Sequence, residues 1–222
     1  MRVAVVIPAY QAAATIGEVV GQTLEVLPDA QVIVVDDGSS DGTGDQRLGI
    51  RVVVVTHPRN RGKGVALRSG IARASADGAD VIVTIDADGQ HAPTEIPRVL
   101  QPIPEGAADL VLGARARSGA MPVSRRLTNW LSATLASRIG RQAIRDAQTG
   151  FRAFTRALAE RVRPAGDRYE FEATFLLEAL RSGYRVTSVE VPTIYGAPSH
   201  FRSFGDTWRM ATAFARHMRL RD

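Results

Sequence analysis

The sequence contains no cysteine, which excludes both a disulfide framework and thiolate chemistry. Lysine is almost absent too: Lys63 is alone among 27 arginines. Aromatic residues make up 6% of the chain, and no recognised nucleic-acid-binding module appears, which argues against that class. No apolar run approaches the roughly 20 residues needed to cross a membrane. The N-terminal run Arg2–Ile7 is too short for a secretory signal and stops at Pro8. These absences predict a cytoplasmic protein. There is no internal repeat, low-complexity tract or long linker, so residues 1–222 are expected to form one domain. What is present is an ordinary globular composition, 45% hydrophobic and 23% charged over 222 residues, enough to bury a real core.

Charge is distributed unevenly. Residues 1–112 carry a net −5 and residues 113–222 a net +10, giving +5 overall. An arginine-biased base composition accounts for the abundance of arginine more readily than for its asymmetry. A basic half predicts a phosphate, a nucleic acid or an anionic lipid as partner.

The first half alternates β-branched runs with helical stretches. Arg2–Ile7, Gln31–Val35, Ile50–Thr56, Asp80–Ile85 and Asp109–Gly113 read as buried strands, and Thr15–Leu27, Gly64–Ala76 and Pro93–Leu100 as helices. That alternation predicts an α/β fold, with helices flanking a mostly parallel sheet. In the second half, Pro122–Ile139 reads as a helix with Trp130, Leu131 and Leu135 inward. Phe151–Phe154 and Tyr184–Val191 read as strands, and Phe171–Ser182 and Asp206–Leu220 as helices. Parallel sheets bind ligands at the carboxyl ends of their strands. Four polar clusters fall there: Pro8–Gln11, Asp36–Thr43, Asn60–Gly64 and Asp86–His91.

Each cluster has a chemical reading. Asp86 and Asp88, two apart in an extended segment, project to one side and offer hard oxygens to Mg²⁺ or Mn²⁺. A solvated acidic turn is the plainer alternative. Asp36 and Asp37 lie at the crevice mouth, where a carboxylate accepts from a base N–H or a ribose hydroxyl. Asp41 and Thr43 read as turn and capping residues. The helix N-terminus after Asn60-Arg61-Gly62-Lys63-Gly64, together with Arg61 and Lys63, offers donors to phosphate oxygens. Neither a Walker A loop nor a Gly-X-Gly-X-X-Gly dinucleotide fingerprint is present, which argues against P-loop NTPases and Rossmann dehydrogenases. A nucleotidyltransferase wants a Gly- and Lys/Arg-rich loop directly after its first strand, where this chain has Pro8-Ala9-Tyr10.

Together, Val5–Tyr10, Val34–Thr43, Asn60–Gly64 and Asp86–Gln90 resemble the family 2 glycosyltransferases in both order and spacing. Gly113-Ala114-Arg115, Asp146–Arg152 and Val191–Gly196 resemble the dolichyl-phosphate mannose synthases and related polyprenyl-phosphate glycosyltransferases. The chain departs from the family at Gln11-Ala12, where Asn-Glu is usual, and at Ser199–Ser203, where Ser-Lys is usual. It also lacks the Gln-X-X-Arg-Trp motif of processive synthases.

The resemblance implies a glycosyltransferase A-type, Rossmann-like fold and a metal-dependent, inverting hexosyl transfer. The sugar would pass from a nucleotide-diphosphate sugar (GDP-mannose or UDP-glucose) to a polyprenyl phosphate. Residues 1–112 become the donor and metal half and 113–222 the acceptor half. Asp86, Asp88 and Gln90 would hold the metal. Pro8, Ala9, Tyr10, Asp36, Asp37, Gly38, Arg61, Lys63, Asp86, Ala87 and Gln148 would bind substrate. Asp88, Arg115, Arg126 and Arg202 form the catalytic set, with Arg125 an alternative to Arg126. The plainer alternative is that some of these arginines pair with Glu170, Glu172 or Asp146. A hydroxyl acceptor would make Glu172 the general base. Residues 201–221, basic and amphipathic, are expected either to close the core or to lie on the inner face of the membrane. No nucleic-acid partner is expected.

Overall fold

The computed structural model describes residues 1–115, 123–168, 170–192 and 194, with the backbone alone for 123–128. The expected final helix Asp206–Leu220 lies outside the described residues. Seven strands form one sheet: β1 (Val3–Ala9), β2 (Gln31–Asp36), β3 (Val52–Thr56), β4 (Val81–Thr84), β5 (Leu110–Arg115), β6 (Arg152–Thr155) and β7 (Val186–Val191). Their spatial order is β3-β2-β1-β4-β6-β5-β7. All neighbouring pairs are parallel except those of β6, which runs antiparallel to both β4 and β5.

Helices cover both faces of the sheet: α1 (Ile16–Val26), α2 (Lys63–Ala76), α3 (Ile96–Leu100), α4 (Val123–Gly140), α5 (Arg156–Arg161) and α6 (Glu170–Arg181). Two layers of core result. One holds Val6, Ile33, Leu67, Ile82, Leu110, Phe154, Phe171 and Leu176. The other holds Val5, Ile7, Ile16, Val34, Val83, Ile96, Val111 and Phe151. A strand covered on both faces reads as a continuous apolar run, which is why β1, β2 and β4 are dominated by Val, Ile and Ala.

Pro8 sits inside β1, a central strand, and is tolerated for a local reason. The Val6 carbonyl accepts from Ile85 N on the β4 side, and the Ala9 carbonyl from Asp37 N on the β2 side. Pro8, two residues beyond Val6, therefore faces β4, whose pairing with β1 ends at the Val6–Thr84 pair. No ladder bond is lost there.

Two expectations fail. The strand expected to be buried over Ile50–Thr56 is β3 at the sheet edge, half-buried, with Ile50 outside it and fully exposed. Trp130 and Leu131 are exposed, at 55% and 61%, instead of pointing inward, while Leu135 is half-buried against the core. The buried face of α4 carries Ala133 and Ala136. At Gly140 an added Cβ would meet Leu180 of α6 at 2.3 Å. Small residues let these two helices approach closely, so the larger apolar side chains fall on the other side. Short α5 was not expected; Thr155 caps it by accepting from Leu158 N at 3.3 Å.

Candidate active site

The four polar clusters meet at the carboxyl ends of β1, β2 and β4, and side chains stitch them together. After β1, Gln11 takes a left-handed conformation (φ 53°), rare for a residue with a side chain. Gln11 N donates to Ser39 Oγ at 2.9 Å, its Nε2 donates to Ser40 Oγ at 3.1 Å, and its Oε1 accepts from Ser40 N at 2.9 Å. Asp41 and Thr43 act as the turn residues they were expected to be, and they also reach across to the β1 loop. Thr43 Oγ1 accepts from Ala12 N, and Asp41 Oδ2 from Ala13 N, both at 2.9 Å. Thr15 Oγ1 donates to the Ala87 carbonyl at 2.6 Å, joining this loop to the one after β4. Pro8 and Ala9 are buried, and Tyr10 is exposed at 42% on the rim.

Asp36 and Asp37 are both 3% exposed but differently engaged. Asp36 Oδ1 accepts from Ser39 N at 3.0 Å. Both oxygens of Asp37 are taken up by the protein. Arg61 N approaches them at 3.0 and 3.1 Å, Gly62 N donates to Oδ2 at 2.7 Å, and His57 Nδ1 lies 2.7 Å from Oδ1. His57 in turn pairs through Nε2 with Ser69 Oγ at 3.0 Å. Asp37 thus pins the 57–62 loop. Gly38 (φ 73°) leaves room for it: a Cβ there would lie 2.4 Å from the Arg59 carbonyl carbon.

The N-terminus of α2 departs from expectation in the same way. Gly64 N donates to the Asp167 carbonyl at 2.9 Å, and Val65 N donates to the Gly62 carbonyl at 2.9 Å. These backbone donors, like those of Arg61 and Gly62, already have protein acceptors and do not form an open phosphate nest. Arg61 is exposed, whereas Lys63 reaches into the site.

Lys63 Nζ lies 2.6 Å from Asp86 Oδ1 and 2.6 Å from Glu172 Oε1, the latter contributed by the first turn of α6. Burial disfavours the ammonium, but Asp86 and Glu172 outweigh it and raise the Lys63 pKa. Burial alone would raise Asp86, yet the Lys63 charge holds it below the usual carboxylate value. Glu172, 6% exposed, is pushed up by burial despite Lys63. Asp88, partly exposed, accepts from Gln90 N at 3.0 Å through Oδ1. Gln90 O accepts from Ile194 N at 2.9 Å. His91, 5% exposed, leans on Phe151 with ring centroids 5.4 Å apart, and burial lowers its pKa to about 4, so it is neutral at pH 7.

Gly150 lies directly against Asp86: a Cβ there would fall 2.6 and 2.8 Å from the two carboxylate oxygens. Gly150→Ala is therefore expected to destabilise the chain by about 1–3 kcal/mol in urea melts, and to cut kcat/KM, because the group forced aside is Asp86 itself. Unchanged activity would place Asp86 outside the chemistry.

From the second half, Arg115 at the end of β5 grips Asp146, which is 1% exposed. Its Nε lies 2.7 Å from Oδ2 and its terminal nitrogen 3.1 Å from Oδ1. Of the acidic partners considered for the arginines, Asp146 is the one that Arg115 takes. Gln148 N donates to Asp146 Oδ1 at 3.1 Å, and Gln148 Nε2 donates to Ser132 Oγ at 3.4 Å. Buried Arg152 donates to three carbonyls: Thr149 at 2.8 Å, Glu172 at 2.7 Å and Ala147 at 3.2 Å. The side chains of Arg125 and Arg126, and all of Arg202 and 201–221, lie outside the described residues. Among the described residues no helix is long and apolar enough to cross a membrane, and no three His, Cys, Asp or Glu residues gather as a metal site.

Residues 4–163 match the family described as Glycosyl transferase family 2. The chain belongs to glycosyl transferase family 2. It is 31% identical over 215 residues to UDP-N-acetylglucosamine–dolichyl-phosphate N-acetylglucosaminyltransferase of Methanococcus voltae, with 86% of this chain and 84% of that protein covered. It is 32% identical over 209 residues to undecaprenyl-phosphate mannosyltransferase of Micrococcus luteus, with 88% and 84% covered. A structure of glucosyl-3-phosphoglycerate synthase from Mycobacterium tuberculosis, in complex with Mn²⁺, uridine-diphosphate and glucosyl-3-phosphoglycerate, superposes with a TM-score of 0.79. That pair shares 22% identity and covers 100% of this chain and 81% of the other, which establishes the glycosyltransferase A-type fold.

For this family 2 enzyme, sequence reasoning left Arg152 without a role, although it closes the quoted Asp146–Arg152 motif. An arginine ending a polar loop and opening a strand is the signal that was available. Among the described residues the cation that Glu172 meets is Lys63.

Proposed function

We propose that this chain moves a hexose from a nucleotide-diphosphate sugar to a polyprenyl phosphate with inversion at the anomeric carbon. The observation that carries this reading is the pairing of two cation-carboxylate units on one rim, Lys63 with Asp86 and Arg115 with Asp146. The names of the Methanococcus voltae and Micrococcus luteus relatives support a polyprenyl-phosphate acceptor.

The donor site lies at β1, β2 and β4. Asp36 is the better partner for the nucleoside, because Asp37 is spent on the 57–62 loop. Pro8, Ala9, Tyr10, Gly38 and Ala87 line the approach. Asp86, Asp88 and Gln90 fit a divalent cation. Asp86 already faces a cation at 2.6 Å, and any side chain larger than glycine at 150 would crowd its oxygens. These two carboxylates and one amide would offer the divalent cation the hard oxygen ligands that Mg²⁺ or Mn²⁺ prefers. When bound, the cation stabilises negative charge on the departing diphosphate.

The acceptor oxygen is already anionic, so no strong general base is needed. It attacks C1 from the face opposite the diphosphate. The C1–O bond to the β-phosphate breaks, and the nucleoside diphosphate leaves with the electron pair. Arg115, joined by Arg126 and Arg202, neutralises the acceptor phosphate, with Gln148 beside Arg115. Glu172 is buried against Lys63, which favours a positioning role over that of a base for a hydroxyl acceptor.

The test is a donor-binding thermal shift with GDP-mannose, UDP-glucose and UDP-N-acetylglucosamine, each with Mn²⁺ and with EDTA. At about 100 times its dissociation constant a donor adds about 2.7 kcal/mol, a rise of several degrees. A Mn²⁺-dependent shift with one donor, followed by label transfer from it to undecaprenyl phosphate, is the expected result. No shift with any of the three would overturn the proposal.

A further inference from the structure

We propose that Lys63 is a resident counter-ion for Asp86, and that it makes the divalent cation and the nucleoside diphosphate bind as a pair. The inference rests on the donor and metal reading above and goes beyond it in assigning a coupling between the two ligands.

Three observations carry it. First, the Lys63 ammonium occupies the place against Asp86 Oδ1 where a metal would bind, at 2.6 Å and with both side chains largely buried (18% and 25% exposed). A divalent ion taking this oxygen meets a fixed positive charge in a poorly screened setting. Second, Lys63 has a second carboxylate to hold it when it leaves the first. Glu172 Oε1 is also 2.6 Å from Nζ, and the Glu172 backbone is anchored through its carbonyl to Arg152 at 2.7 Å. The lysine can therefore swing about Glu172 without being set adrift. Third, among the described residues the neighbouring arginines each have partners of their own. Arg115 is held by Asp146 through two guanidinium nitrogens, and Arg152 by three carbonyls.

The consequence is an exchange of partners. With no nucleotide present, Lys63 satisfies Asp86 and opposes the metal. A diphosphate brings negative charge that attracts the ammonium away from Asp86 and supplies the metal with its remaining oxygens. Each ligand then raises the affinity of the other by the same factor, as linkage requires.

The experiment is a titration with Mn²⁺, following the EPR signal of the free ion. It uses the wild type, Lys63→Met and the charge-conserving Lys63→Arg, each alone and with UDP or GDP. Wild type alone is expected to bind Mn²⁺ weakly, and the nucleotide that fits should tighten it by about 30-fold or more. Lys63→Met alone should bind Mn²⁺ about 10-fold tighter than wild type alone, with a smaller gain from nucleotide, whereas Lys63→Arg should behave as wild type. Equal affinity of wild type and Lys63→Met without nucleotide overturns the proposal. If Lys63→Met does not fold, as read by its thermal melt, Glu172→Gln decides. Deprived of its second carboxylate, Lys63 stays on Asp86, so Mn²⁺ binding alone should weaken at least 3-fold, and an unchanged affinity overturns the proposal. If neither UDP nor GDP alters Mn²⁺ binding in any variant, the donor reading fails. The comparison without nucleotide still tests Lys63.

Discussion

Asp88→Ala is expected to lower kcat by at least about 10³-fold while the fold survives, because electrostatic stabilisation of a developing charge is the largest single contribution in such chemistry. Asp88 is partly exposed in the turn after β4, where its Oδ1 accepts from Gln90 N at 3.0 Å. Losing that bond costs about 1 kcal/mol, a few degrees in a thermal melt. The assay is label transfer at saturating donor, alongside a melt of the same preparation. Near-normal turnover in a well-folded variant would remove Asp88 from the metal set and with it the reason for expecting metal dependence.

Asp146→Ala should act through stability as well as rate. Removing one partner of a buried ion pair leaves the other charge uncompensated, at a cost of 3–5 kcal/mol; roughly 3 is the better expectation here, because Arg115 retains some exposure to solvent. For a chain of this size that is a fall in Tm of roughly 10 °C. Asp146→Ala combined with Arg115→Met removes the orphaned charge, so Tm should recover most of the loss while turnover stays low. Recovery of both would make the pair purely structural. The acid dependence has a definite sign. Burial works against the Asp146 carboxylate, but Arg115 outweighs it and lowers the pKa below 3.8. The stability it contributes is fully present above that ordinary value and disappears as pH falls through the folded one. The penalty of Asp146→Ala should therefore shrink below pH 4.

The first half of the fold is legible in the sequence because strands covered on both faces must be apolar through their interiors, and β1, β2 and β4 are, with Gln31, Asp36 and Thr84 falling at strand ends. The polar residues that interrupt those runs then mark the rim. What cannot be read is where a side chain spends its hydrogen bonds. Asp36 and Asp37 look equivalent in the chain, and only the return of His57, Arg61 and Gly62 to Asp37 separates them. Lys63 reads as a phosphate ligand from its glycine-rich loop. Its contact with Glu172, more than a hundred residues on, depends on how α6 packs beside α2. The failure at Trp130 and Leu131 has the same origin. Helical periodicity ranks faces by size and apolarity, whereas α4 turns its alanines toward the core.

The reversed direction of β6 has a consequence for how this enzyme is wired. Parallel strands deliver to the rim the residues that follow them. A strand running the other way delivers the residues that precede it. Asp146, Gln148 and Gly150 all come before β6, and they reach the crevice because β6 enters the sheet there, between β4 and β5. Their placement is governed by one register, Arg152 opposite both Thr84 and Leu112 and Ala153 opposite Val83 and Val111. A slip of a single residue would exchange Arg152 with a core neighbour and carry the whole 146–150 loop with it. The placement of the 146–150 loop is thus set inside the sheet, by the pairing of the four residues Arg152–Thr155 with the strands on either side.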